Sequence, residues 1–247
     1  MLTDSQIQDY RERGHLTLHG LFTSSEIGEA IQDIHCWGNH IIENLSESEK
    51  SWYLDRGVEN AEVLRKLDLP VSQREVFRGL AHKENLVTCV EQLIGKGVSI
   101  YFSQVFLKPP EGGGPKPVHQ DNFYFGPDDP NGMVTVWVAL DEATTENGCL
   151  YYGEGTQDGE VIQHIAPEDE PFNLQIPTEI ASKVPMTAAP VPLGGVSFHH
   201  GSTFHQSSSN TSPNWRRAAA FHYARNGIKL VNPALPYDKS QYVVITS

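Results

Sequence analysis

Residues 133–140 read MVTVWVAL, with valine at every second position and no charge. A run this rich in β-branched and aromatic residues favours a strand. Upstream, residues 98–108 (VSIYFSQVFLK) have the same character. Between them lies PPEGGGPKP at 109–117, whose Pro and Gly density excludes regular structure. Downstream, NGCLYYGEG at 147–155 reads as a tight turn into another strand. VSFHHGSTFH at 196–205 and RRAAAFHYA at 216–224 are two more strand candidates. Short strands separated by turns predict a barrel or jelly roll from Val98 onward.

Before Val98 the pattern is mostly helical. Thr3 or Asp4 caps a first helix that runs to Arg13 and stops at Gly14. HLTLHGLF at 15–22 alternates like a strand. Ser24 or Ser25 is the expected cap of a second helix, in which Ile27, Ala30, Ile31, Ile34 and Ile41 fall near one face. Residues 74–95 read as one or two further helices. The expected architecture is a single domain, mostly β with α. Residues 1–97 form a mainly helical support, 98–230 the jelly-roll core and 231–247 a C-terminal tail.

Composition narrows the function. A chain of 247 residues with 38% hydrophobic and 20% charged residues is globular and buries a substantial core. A net charge of −13 argues against nonspecific nucleic-acid binding and, more weakly, against an anionic membrane surface. Cys36, Cys89 and Cys149 are odd in number and form no CxxC pair, so a disulfide framework is not expected. With no signal-peptide pattern and no membrane-length apolar run, the expectation is a cytoplasmic protein. The expected partner is a small-molecule substrate, with oligomeric state open.

VHQDNFYF at 118–125 raises the question of chemistry. On a strand or at its edge, His119 and Asp121 point to one face and both reach one divalent ion. Two His and one carboxylate on one face is the arrangement that holds non-haem Fe(II) with open positions. By itself a His-X-Asp triplet is equally an ordinary polar turn, with Asp121 capping local N–H groups. The second imidazole has four candidates: His199, His200, His205 and His222. His205 stands out because Arg216 and Arg217 follow on the next candidate strand. A guanidinium there would bind a carboxylate with both arms. A cosubstrate that chelates a metal and carries a distal carboxylate, such as 2-oxoglutarate, needs that pairing.

In sequence order these motifs are HQD at 119–121, VTVWVAL around Trp137, NGCL at 147–150, HQSSSNTS from His205 and RRA from Arg216. FLKPP before the HxD and the opening LTDSQIQDYRERGHLTLHGLF belong with them. Together they resemble the phytanoyl-CoA dioxygenase (PhyH) family of Fe(II)/2-oxoglutarate-dependent oxygenases, over nearly the whole chain. The resemblance implies a double-stranded β-helix, the cupin-like jelly roll. It implies iron held by His119, Asp121 and His205. In the family the second His precedes the 2-oxoglutarate arginine by eleven positions, as His205 precedes Arg216 here. His199 and His200 then read as supports behind the ligands or as strand packing, and His222 as barrel wall. Gln104, Trp137 and Ser207 match positions that surround 2-oxoglutarate, although each also reads as core or strand-edge packing.

The implied reaction consumes O2 and 2-oxoglutarate, releases succinate and CO2, and hydroxylates an unactivated C–H. Halogenases of this superfamily carry Gly or Ala at the carboxylate position, so Asp121 points to a hydroxylase. Two rivals remain: a non-catalytic jelly roll that binds metal or 2-oxoglutarate, and a zinc hydrolase, which gives Arg216 no role and has no identified base. On a strand, Phe123 and Phe125 would share the ligands' face, as cavity lining or as core. Where many family members have Pro-Gly-Ser-His after NGCL, this chain has YYGEGTQDGE, which is expected to put acid and amide groups near the barrel mouth. With the negative charge, this favours a small metabolite or natural-product intermediate over an acyl-CoA. Residues 157–183 are a candidate lid or an ordinary surface loop.

Overall fold

The computed structural model describes residues 1–56, 62–167 and 173–247. Two antiparallel sheets form its centre. The larger runs, in order, His15–Leu18, Val196–His200, Met133–Ala139, Arg216–Arg225 and Val98–Lys108. Val243–Val244 and Lys66–Asp68 share the far edge of Val98–Lys108. The smaller sheet runs Lys116–His119, Phe204–Ser207, Leu150–Gly153 and Thr187–Ala189. The two face each other as the jelly roll that the strand pattern predicts.

Alternation along the central strands explains the layers. Every residue of Met133–Ala139 is buried. Val134, Val136 and Val138 join a core with Ile27, Phe77, Leu86 and Val90 of the helices. Trp137 and Ala139 join a second core with Leu150, Tyr152, Ala218 and Ala220, between the sheets. Side chains two apart share a face, so one strand serves both layers. Each fully buried valine contributes about 1.5–3 kcal/mol, so the outward row binds the helical layer firmly. On Arg216–Arg225 the outward residues Ala219, Phe221 and Tyr223 pack in the helix-side core. The inward Ala218 and Ala220 are small, which leaves space between the sheets.

The helices are set by local signals. The first spans Asp4–Arg13, with a Thr3/Gln6 capping box and Gly14 at φ 77° closing it. The second spans Ser24–Asn44, and its cap is Thr23, one residue before the expected Ser24 or Ser25. Glu26 decides this: it stands three residues after Thr23 and accepts the Thr23 backbone N–H at 2.8 Å. Ile27, Ala30, Ile34 and Trp37 are the buried face. Residues 74–95 form two helices, Glu75–Ala81 and Glu84–Ile94. No helix among the described residues is long and apolar enough to cross a membrane.

Candidate metal centre

His119 ends its strand directly opposite His205 on the neighbouring one. Their ring centroids are 4.0 Å apart. The same device turns each ring. His119 Nδ1 donates to the carbonyl of Pro117 at 2.8 Å, and His205 Nδ1 to that of Thr203 at 3.0 Å. A carbonyl only accepts, so each Nδ1 carries a proton and each Nε2 is the ring nitrogen turned toward the site. Both Nε2 atoms face Asp121 Oδ1, at 3.9 Å for His119 and 3.6 Å for His205. One ligand atom from each of the three residues lies within 4.8 Å of the others, and all three residues are buried.

The route by which Asp121 arrives differs from the pleated strand expected. His119 is the last residue of Lys116–His119, Gln120 is extended, and Asp121 opens a short helix, Asp121–Phe125. Gly126, at φ 54°, ends that helix. Its conformation suits glycine, and a Cβ there would strike the Asn232 carbonyl. A strand end followed by a helical turn thus brings the two side chains together, in place of the pleat.

Burial lowers the His119 pKa well below the ordinary histidine value, so its imidazole is neutral. For Asp121 burial acts the other way. The imidazoles of His205, His199 and His222 outweigh it and hold the carboxyl well below its usual range. Two imidazole Nε2 atoms and a carboxylate therefore converge, the donor set that suits a divalent metal of intermediate softness.

The second carboxylate oxygen is tied down from behind. Thr135 donates its hydroxyl to Asp121 Oδ2 at 2.5 Å, and His199 donates Nε2–H to the same atom at 3.1 Å. His222 Nδ1 lies 2.9 Å from the Thr135 hydroxyl. His199 Nδ1 lies 3.0 Å from the buried Tyr152 hydroxyl. His199, Thr135 and His222 are cross-strand neighbours in the larger sheet. They form a row of donors that fixes Oδ2 and leaves Oδ1 for the imidazoles. Thr135 sits on the inward face of the 133–140 run, but nothing in the sequence alone marks it as the partner of Asp121. His200 turns elsewhere, with Nε2 3.2 Å from Asn131 Oδ1.

A cavity of about 570 Å³ opens from the triad between the sheets. Gln104, Trp137, Ser207 and Arg216 all line it. Arg216 is 2% exposed, and its guanidinium lies over the Trp137 ring, 5.6 Å from the centroid. Its Nε and Nη1 are buried without a partner. Burial lowers its pKa to about 10, so it stays charged at neutral pH. Lys108, opposite it across the strands, donates from Nζ to the carbonyls of Gly114 and Ser208, at 2.5 and 2.6 Å. Gln104 donates to Asp68 Oδ1 at 2.7 Å.

Residues 10–218 match the phytanoyl-CoA dioxygenase (PhyH) family. The chain belongs to this family. A probable alpha-ketoglutarate-dependent hypophosphite dioxygenase from Stutzerimonas stutzeri is 25% identical over 223 residues, 89% of this chain and 77% of that protein. The phytanoyl-CoA dioxygenase domain-containing protein 1 of Rattus norvegicus is 26% identical over 264 residues, 90% of this chain and 89% of its own. Among solved structures, the epimerase SnoN in complex with Fe3+, alpha ketoglutarate and nogalamycin RO superposes with a TM-score of 0.70. It is 19% identical, with 98% of each chain covered, and it shares the fold.

In this PhyH member the aromatic run after the HxD does not divide by strand faces. Tyr124 stands edge-on to His119, with centroids 5.9 Å apart, and Phe125 packs against His222 at 4.8 Å. Both line the cavity. Phe123 turns away and stacks on His164 at 4.0 Å, and Asn122 is buried against Ser202. Nor do the acid and amide groups of YYGEGTQDGE face the mouth. Glu154 pairs with Arg13 at 2.6 Å, and Gln157 donates to the Arg11 carbonyl at 2.9 Å. They fasten the first helix instead. Of the candidate lid 157–183, residues 168–172 lie outside the described residues. The described part is held by the HxD itself: Gln120 accepts from Ile162 N at 2.8 Å and donates its own N–H to His164 Nε2 at 3.0 Å.

Proposed function

We propose that this PhyH-family protein is an Fe(II)- and 2-oxoglutarate-dependent dioxygenase that hydroxylates an unactivated C–H of a small metabolite or natural-product intermediate. The observation that carries the reading is Arg216. A buried, charged guanidinium with two unpartnered N–H groups is costly unless an anion meets it, and it lines the cavity that holds the triad. A dicarboxylate that chelates the metal at one end answers that need at the other. The donor set and the orphaned donors therefore both fit iron and 2-oxoglutarate. The relative named for alpha-ketoglutarate and the SnoN complex support the same choice.

On this reading His119, Asp121 and His205 hold the iron, and Arg216 pairs with the 5-carboxylate of 2-oxoglutarate. Bound together with O2, iron and 2-oxoglutarate supply the oxidation, yielding succinate and CO2 and leaving one oxygen atom on the substrate. The protein's own contribution is orientation. The Pro117 and Thr203 carbonyls fix the imidazole tautomers, and Thr135 and His199 fix the carboxylate. Trp137 stacks beneath the guanidinium, and Gln104 and Ser207 border the same space. A zinc hydrolase would leave Arg216 without a ligand. The test is succinate formation from 2-oxoglutarate under air with added Fe(II). The expected result is turnover that depends on both additions and is lost in His205→Ala. A chain that binds both and forms no succinate, with or without candidate substrates, overturns the enzymatic reading in favour of a binding protein.

A further inference from the structure

Iron and 2-oxoglutarate, held as proposed above, account for the part of the cavity between the triad and Arg216. The inner face of the larger sheet continues past them. Arg216 and His222 are six residues apart on one strand, about 20 Å at strand rise, and Phe102 lies beside His222. Phe102, Phe125 and Tyr237 line the cavity at that opposite end. Phe102 and Tyr237 meet edge-on with centroids 5.5 Å apart, and Phe125 and Tyr237 lie 5.1 Å apart.

Tyr237 comes from the C-terminal segment, which is anchored on both sides. Ala234 N–H donates to the Tyr124 carbonyl at 3.0 Å, and Val231 and Asn232 N–H both donate to the Gly126 carbonyl. Beyond it, Tyr242 stacks on Tyr101 at 4.4 Å, and Val243–Val244 pairs with the sheet. Leu235 and Pro236 line the cavity with it. The segment is thus a wall of the cavity, joined to the helix that carries Asp121. Among the described residues the Tyr237 hydroxyl has no hydrogen-bond partner, and it is not sealed from the cavity. Burial, then the negative charge of Asp121, raises its pKa, so it remains a neutral O–H donor. Asp68 acts on it in the same sense.

We infer that Tyr237 is a specificity-determining residue. Phe102, Phe125 and Tyr237 receive the apolar body of the substrate, and the Tyr237 hydroxyl donates to a neutral oxygen acceptor on it, a hydroxyl, ether or carbonyl. The substrate class is a neutral, largely apolar molecule with such an oxygen, because the rings of Phe102 and Phe125 flank that of Tyr237 and a charge among them would be costly. This rests on the oxygenase reading.

The test uses the full chain with Fe(II) and 2-oxoglutarate under anaerobic conditions. Perturbation of the visible chelate band is titrated with cyclohexanone, methylcyclohexane and cyclohexanecarboxylate as probes, in the wild type and in Tyr237→Phe. Wild type is expected to bind cyclohexanone tightest. In Tyr237→Phe that binding weakens roughly three- to tenfold, the worth of one neutral hydrogen bond, while methylcyclohexane is unaffected. A Tyr237→Phe variant with unchanged cyclohexanone affinity, a preference for the carboxylate, or no response to any probe overturns the inference while the chelate band itself remains. Absence of that band in the wild type overturns the oxygenase reading, and this inference with it.

Discussion

Replacing Thr135 by valine removes one hydroxyl and keeps the branched shape of a buried side chain on the central strand. That hydroxyl donates to Asp121 Oδ2 at 2.5 Å and has His222 Nδ1 2.9 Å away. In the variant the carboxylate keeps one donor behind it, His199 at 3.1 Å, and the His222 N–H is left buried without its acceptor. A hydrogen bond to a charged group contributes about 1.5–3 kcal/mol, and losing a support behind a metal ligand weakens binding roughly 10- to 100-fold. Fe(II) affinity in Thr135→Val is therefore expected to fall by about that factor at saturating 2-oxoglutarate. The assay is anaerobic titration of Fe(II) followed by the chelate band, with calorimetry to establish that the variant is folded. Thr135→Ser retains a hydroxyl and is expected to bind nearer to wild type. If valine binds iron within twofold of wild type, Oδ2 does not need its anchor and the argument fails.

Asp121→Gly is expected to abolish hydroxylation; an unchanged rate would remove Asp121 from the ligand set. Arg216→Lys keeps the charge but loses the planar fork, so the 2-oxoglutarate concentration for half-maximal succinate formation should rise more than about tenfold; an equal requirement would detach Arg216 from the cosubstrate. Metal-free protein should lose stability as pH falls from 6.5 toward 4. Burial lowers His164 and His199 to about 4, so in that window the unfolded chain binds protons that the folded chain does not, and stability rises with pH. Denaturant titration in chelator at pH 5.5 against pH 7 should show a drop of about 1 kcal/mol for each such histidine, and a flat profile would contradict neutral burial.

The central strands were legible because their information is local. MVTVWVAL carries valine at every second position and RRAAAFHYA is a short apolar run bounded by arginines, so each reads as a strand; the pleat then divides alternate side chains between the helix-facing row and the row lining the cavity. The first helix was equally plain, with its capping residues and Gly14 adjacent in sequence. The helical turn at Asp121 is harder to read, because an aromatic run beside a His-X-Asp fits the strand template. The contrary signal was Gly126, which ends the helical turn in a left-handed conformation. Lys66–Asp68 is three residues long, too short for any period to emerge. The pairing of Thr135 with Asp121 depends on the register of Met133–Ala139 against Val196–His200 and Arg216–Arg225. No local pattern carries a register between strands so far apart. The same holds for Tyr237, whose place in the cavity follows from how the C-terminal segment is tied to Gly126 and Tyr124.

Anomalous diffraction at the iron edge, from crystals soaked anaerobically with Fe(II) and 2-oxoglutarate, tests the central claim most directly. The account predicts one iron peak bonded to His119 Nε2, His205 Nε2 and Asp121 Oδ1, with density for a dicarboxylate running from it to the Arg216 guanidinium. An iron peak elsewhere, or a dicarboxylate that leaves Arg216 unpaired, would contradict it.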